Sequence, residues 1–188
     1  MIIVKNCKMA EIEEILNFWF IECKPEKWFK KNEDFDRMIE KRFSSAIDDA
    51  IEGKLDSWEE TETGCLALII LLDQFTRNVF RDTPQAFAGD ERALALSKLC
   101  FNKDYLTNLD IHRRQFMLMP MMHSENLAVQ DTALPLFKKY ASEKDYEYAE
   151  KHRDIIARFG RFPHRNVILG RNSTNEELEF LKQQGSSF

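Results

Sequence analysis

Glycine and proline are scarce in this chain of 188 residues, 6 and 5 of them, and no stretch of useful length alternates apolar with polar side chains. With 44% apolar and 31% charged residues, that leaves the profile of a helix-rich soluble globule long enough to bury a core, read as one domain over 1–188. Long apolar runs are missing too. The longest, Cys65 to Leu72, falls far short of the about 20 residues that span a bilayer, so no membrane partner is expected. The first residues, MIIVKNCKMAEIEE, turn acidic too soon for a signal peptide. There is no basic surplus: the formal net charge is −5, which argues against a general nucleic-acid binder. Cys7, Cys23, Cys65 and Cys100 are widely spaced and fit no CxxC pattern, so reduced thiols in the cytoplasm are expected. No HxxxH or HExxH spacing supports a metal site, no cofactor is implied, and no repeat at a fixed period marks a solenoid.

Helical stripes are what the sequence does contain. Ile12, Ile15, Leu16, Trp19, Phe20 and Cys23 recur at helical spacing and predict a first helix from about Glu11 to Glu22, ended by Pro25. Trp28-Phe29 then form an aromatic corner. Phe35, Ile39, Phe43, Ala46, Ile47, Ala50 and Ile51 predict a second helix from about Asp34 to Glu52, closed by Gly53. A third, from about Gly64 to Arg81, begins apolar on every side and is expected to be the buried centre of the fold. Ala93, Leu96, Leu99 and Cys100 mark a fourth. Another runs from about Asp110 to Met119, where Pro120 should break it, and Ser124 is a plausible N-cap for the helix carrying Leu127, Leu134, Phe137 and Ala141. Tyr148, Ala149, His152, Ile155, Ile156 and Phe159 give a clean stripe that runs out at Gly160. Thr174 and Glu177 have capping-box spacing for a last helix, with Leu178 and Leu181 as its face.

The polar residues that interrupt these stripes are the candidates for function. From Lys151 to Arg171, six Lys or Arg stand against one acid, Asp154, a local reversal of sign that asks for an anion. The stretch carries His152, Arg158, Arg161, His164, Arg165 and Asn166. On the third helix, Asp73, Gln74, Arg77 and Asn78 extend an apolar sector, so they are expected to be buried and paired. Two explanations stand for them: an ion pair between Asp73 and Arg77 closing on itself, or a ligand-facing group. His123 is expected at a helix entrance, where two readings stand: it sits beside free backbone N–H groups as a place for an anion or a general acid, or it merely decorates a first helical turn, which is the favoured reading for Glu125. Arg114 shares a stripe with Ile111 and Leu118. His152 occupies a core position and needs a buried partner, for which Asp73 or a backbone carbonyl would serve. All three polar groups are expected to meet in one pocket.

LALIILLDQFTRNVFR (Leu66 to Arg81), PMMHSE (Pro120 to Glu125), HRDIIARFGRFPHRN (His152 to Asn166) and the ending ILGRNST with FLKQQGSSF resemble the bacterial family named domain of unknown function 924. The likeness extends to Trp19-Phe20 and to the WFKK motif from Trp28. It implies an all-α fold similar to tetratricopeptide repeats, an array of about eight helices in antiparallel pairs, and it implies no reaction. Thr76 stands where the family pattern suggests Pro, and Leu118 and Met121 stand where it suggests aromatics.

Two functional classes follow. In one, a cytoplasmic enzyme or binder holds a small anionic molecule between Arg77, Arg161 and Arg165, with His123 or His152 as acid or base and Asp73 orienting it. In the other, a helical scaffold grips an acidic peptide through the same arginines.

Overall fold

A computed structural model describes the backbone of residues 2–186 and the side chains of residues 9–186. All regular structure within those bounds is helical, and the protein is all-α. Cys7 lies outside the described side chains, while Cys23, Cys65 and Cys100 are buried free thiols. The chain divides into two compact units, Met1–Arg81 with Gln85–Thr107 and Asp82–Pro84 with Asn108–Phe188.

The first unit opens with α1 (Ile2–Asn17), which widens into a π turn over Phe18–Glu22 and ends at Cys23, before Pro25. Its start lies well ahead of the expected Glu11. The apolar residues of the first ten positions do not fall on one helical face, so periodicity could not reveal that they are helical. Helix α2 (Glu33–Ile51) is capped by Asn32, whose side chain accepts from the Phe35 N–H, and closes at Gly53 with φ 76°. It buries Phe35, Ile39, Phe43, Ile47 and Ala50.

Helix α3 (Glu62–Ile69) continues through a π-helical stretch, Ile70–Phe75, into α4 (Thr76–Val79). Residues 64–76 are all buried, as an all-round apolar helix must be. Phe75 lies 5.0 Å from Phe43 and 5.5 Å from Trp19, ring centre to ring centre, which ties this helix to α2 and to the π turn. Thr76, in place of the proline the family likeness suggests, donates its hydroxyl to the Leu72 carbonyl at 2.8 Å. Helix α5 (Asp90–Asn102) buries Ala93, Leu96, Ser97 and Cys100, and it starts so close to the π stretch that a Cβ on Gly89 would sit 2.3 Å from the Leu72 oxygen.

In the second unit, α6 (Ile111–Met122) is capped by Asp110 and runs straight through Pro120. Proline at that position costs roughly 3 kcal/mol. Residues 115–122 are all buried, and keeping them on one continuous helix outweighs that cost. Helix α7 (Leu127–Tyr140) is capped by Asn126, which accepts from two backbone N–H groups, and not by Ser124. A two-residue link leads to α8 (Glu143–Phe159), which opens on a Ser142–Asp145 capping box and closes at Gly160 with φ 69°. Such short connections make α6, α7 and α8 antiparallel neighbours. The last helix, α9 (Asn175–Phe180), has the Thr174–Glu177 capping box. Its expected face holds only in part: Leu181 is half-buried but Leu178 is 48% exposed, whereas Glu177 is buried and the Phe180 ring lies tilted 5.0 Å from Phe159.

If the π stretch is the fixed centre of the first unit, Leu72→Ala will destabilise the protein by about 2–5 kcal/mol in urea denaturation. Gly89→Ala, although it adds apolar surface, will also destabilise it, because the methyl meets a backbone oxygen that cannot retreat. A loss of less than about 1 kcal/mol for Leu72→Ala would refute the central burial.

Candidate functional site

The sequence around Phe162 dictates a sharp local geometry. Gly160 takes the left-handed conformation that ends α8, and Phe162, preceding Pro163, is held extended. This turns the Phe162 ring inward, where it is wholly buried against Ile155 and Ile156. Three polar groups gather round the ring. His152 meets it edge-on at 5.6 Å, His164 lies 5.6 Å away, and the Arg165 guanidinium sits 4.6 Å over its face. The peptide groups of Phe162 are also engaged: its N–H donates to Glu125 Oε1 at 2.8 Å, and its carbonyl accepts from Arg171 Nη2 at 3.2 Å. Arg171 in turn grips Glu125 with both ends of its fork, at 2.6 and 3.0 Å.

Two expectations change here. His123 caps the end of α6 and not the start of a helix, because α6 continues past Pro120. A helix end presents carbonyls, which attract cations. Accordingly, Arg165 Nη2 donates to the His123 carbonyl at 3.1 Å, and Gln130 Nε2 donates to the carbonyls of Met122 and Ser124. Glu125 is no ornament of a first turn. It lies ahead of α7, and burial would raise its carboxyl, but Arg171 and the Phe162 N–H outweigh that and hold it below the ordinary range.

His123 and His152 stand 6.1 Å apart, ring centre to ring centre. His152 is only 4% exposed, and its Nδ1 pairs with the Tyr148 carbonyl at 2.7 Å, one turn back on its own helix. Burial first, then the neighbouring His123, pushes its pKa down to about 3. Half-buried His164 is pushed down to about 4 by burial and then by Arg165. Both rings are therefore neutral at pH 7, each with one N–H to give and one nitrogen to accept.

The other expected residues have protein partners. Arg161 forks onto Glu177 at 2.7 and 2.9 Å and reaches the Asn172 carbonyl. That contact holds the Glu177 carboxyl down to about 2 and explains why an acid occupies the buried side of α9. Arg158 meets Glu176 at 2.7 Å on the surface. Asn166 is wholly buried and bonds both Ser173 and Glu177. Arg114 is half-buried on α6. Asp73, Gln74, Arg77 and Asn78 belong to the first unit. There the Asp73–Arg77 ion pair does form, at 3.2 Å, with Gln74 Nε2 donating to Asp73 at 2.6 Å. Arg77 reaches on to Asp90 at 2.8 Å, and Asn78 joins Arg81 on Asp36. Phe162, Arg171 and Glu177 were not singled out from sequence as site residues, although Arg171 closes the basic run. The cavity of about 500 Å³ on α7 and α8 is lined by Asp131, Leu134, Glu147, Glu150, Lys151, Arg153 and Asp154, none of them an expected site residue. Among the described residues, no three His, Cys, Asp or Glu side chains are grouped to hold a metal ion.

The neutral histidines carry a pH signature. A histidine whose folded pKa lies below its unfolded value of 6.5 gives full stability above pH 6.5 and loses it as pH falls toward the folded value, since the unfolded chain then binds more protons. For His152 the loss between pH 6.5 and 4.5 should be about 2 kcal/mol. The depressed carboxylates of Glu125 and Glu177 add their own loss only below that window. Denaturation of His152→Gln across pH 6.5–4.5 should therefore show a shallower slope than the parent protein. An unchanged slope would refute a buried neutral His152.

Residues 15–185 match the family described as bacterial protein of unknown function, DUF924. A solved structure of a protein of unknown function from Agrobacterium tumefaciens is 37% identical, covers 94% of this chain and 99% of that one, and superposes with a TM-score of 0.89. A comparison with curated proteins returned no match. The family match covers everything from the end of α1 to residue 185, including every residue gathered round Phe162, and the chain belongs to the DUF924 family.

Proposed function

We propose that the second unit binds a small anionic ligand at the cluster around Phe162, with Arg165 supplying charge and His123 and His164 supplying hydrogen bonds. The observation that carries this reading is the composition of the cluster. Two imidazoles, of His152 and His164, and the Arg165 guanidinium surround the Phe162 ring, His123 stands against His152, and the only carboxylate bonded to the Phe162 peptide, that of Glu125, is held by Arg171. With His152 and His164 neutral and Arg171 paired with Glu125, Arg165 keeps one positive charge in a partly desolvated place, where an anion is worth more than in water. Arg77, Arg161 and Arg171 are engaged by carboxylates, and the reading gives the ligand-facing role to Arg165, over the Phe162 ring, and to the half-buried His164. His152, committed to the Tyr148 carbonyl, positions Phe162 and His123. The reading assigns binding and no reaction. A tetratricopeptide-like stacking of the antiparallel pairs and a cytoplasmic location belong to the same proposal, supported by the α6–α7–α8 arrangement and by the free thiols.

Sulfate is the suitable probe, because it stays a dianion through the pH range in which the histidines change. Sulfate should raise the melting temperature more than chloride at equal ionic strength. An anion placed beside imidazoles also favours their protonated form, so the extra stabilisation should grow as pH falls from 7 to 5, while the protein without sulfate loses stability. His164→Gln should keep most of the stability and lose most of the sulfate effect. Equal shifts from the two salts at every pH would remove the anion-binding reading.

A further inference from the structure

Between the first helix and α2 lies a corner that holds two large apolar side chains in water. Ile21 is 72% exposed and Phe29 65%. The corner is firmly built. Trp28 is buried, stacks 6.2 Å from Trp19, donates its indole N–H to the Trp19 carbonyl at 3.0 Å and meets Phe20 edge-on. The Cys23 N–H bonds the Phe18 carbonyl at 3.0 Å, and a short 3₁₀ turn over Pro25–Lys27 makes the outer bend. Trp28 takes the inward position, and the same turn sends its neighbour Phe29 outward. Lys24, Lys27, Lys30 and Lys31 are exposed on this corner. The acids beside them are largely occupied: Glu22 pairs with Arg42 at 2.6 Å, and Glu33 and Asp34 both meet Arg37. Glu26 is the acid within the run. The result is a cationic surface with apolar tips on a chain of net charge −5.

We propose that this corner docks the protein on an anionic lipid bilayer, with Phe29 and Ile21 entering the headgroup layer and the four lysines lying against the lipid phosphates. The expectation of no membrane partner rested on the lack of a spanning segment, and binding at the surface needs none. Four lysines and two apolar side chains suit a reversible peripheral contact, in which each lysine near the surface contributes to the attraction. A stable protein–protein interface needs a much larger apolar area than two side chains provide. A nucleic acid fits less well, because an aliphatic side chain such as Ile21 cannot stack on bases. The proposal is independent of the anion-binding reading, since none of its residues belongs to the Phe162 cluster.

The test is co-sedimentation of the full chain with vesicles of phosphatidylcholine alone and of phosphatidylcholine with one third phosphatidylglycerol. The expected result is binding to the anionic vesicles only, weakened by added salt. The double variant Lys30→Glu, Lys31→Glu should lower the partition by about tenfold or more. Phe29→Ser should lower it as well, with an unchanged melting temperature, because the ring is outside the core. Failure to bind anionic vesicles, or binding that both variants leave unchanged, would overturn the proposal. So would tighter binding to a DNA oligonucleotide that is lost in the lysine variant and indifferent to Phe29→Ser and Ile21→Ser, which would assign the surface to nucleic acid.

Discussion

A buried charge costs several kcal/mol unless an opposite charge or a full set of hydrogen bonds comes with it, and the C-terminal third of this protein is arranged around that constraint. Between Gly160 and Thr174 the chain has only one short 3₁₀ turn, so helix hydrogen bonds cannot fix it. Turn hydrogen bonds, such as that from the Leu169 N–H to the Arg165 carbonyl, hold its middle, and arginine forks hold its ends. Arg161 ties its start to Glu177, and Arg171 ties its end to Glu125. Each carboxylate also takes a backbone N–H, that of Thr174 or that of Phe162, so each clamp satisfies a main-chain donor as well as a charge. Removing either partner would leave an uncompensated charge in a partly buried place, which is why these clamps position the histidines more firmly than surface ion pairs could.

The same pairing shows why the site was only half legible in sequence. The basic surplus from Lys151 to Arg171 looked like a demand for an external anion. Four of its six cations are met by acids that lie outside the counted window: Arg153 by Asp131, Arg158 by Glu176, Arg161 by Glu177 and Arg171 by Glu125. Charge counting along a chain sees neighbours in sequence, whereas a fork chooses neighbours in space. Asp73 and Arg77 could be paired on paper because they are one helical turn apart. Asp36 and Asp90, which complete the networks of Asn78, Arg81 and Arg77, could not.

The helices were legible for the opposite reason, since burial of a stripe is a local pattern. Ile39, Phe43 and Ile47 on α2, and residues 64–76 on the central helix, are buried as their spacing requires. The failures fall where tertiary packing overrode a local rule. Pro120 should have ended α6, but the buried run around it kept the helix going and moved His123 from a helix start to a helix end. That shift reverses the sign of the local backbone field and brings the Arg165 guanidinium, not an anion, to the His123 carbonyl. Leu178 should have faced inward, but the pairing of Glu177 with Arg161 and the tilted ring contact of Phe180 with Phe159 turned it outward.

Phe162 shows how one apolar residue can organise a polar cluster. Its ring has no charge to satisfy, so it can be wholly buried, and its faces and edge accept an imidazole or a guanidinium without competing for their hydrogen bonds. Its peptide N–H and carbonyl, by contrast, must be satisfied, and they recruit the carboxylate and the guanidinium of one ion pair. Side chain and backbone thus divide the work: the ring excludes water from His152 and keeps it neutral, while the backbone anchors Glu125 and Arg171 alongside. A polar residue at position 162 would leave His152 hydrated and charged at low pH, and the Arg171–Glu125 clamp alone could not restore the dry environment on which the histidine spacing depends.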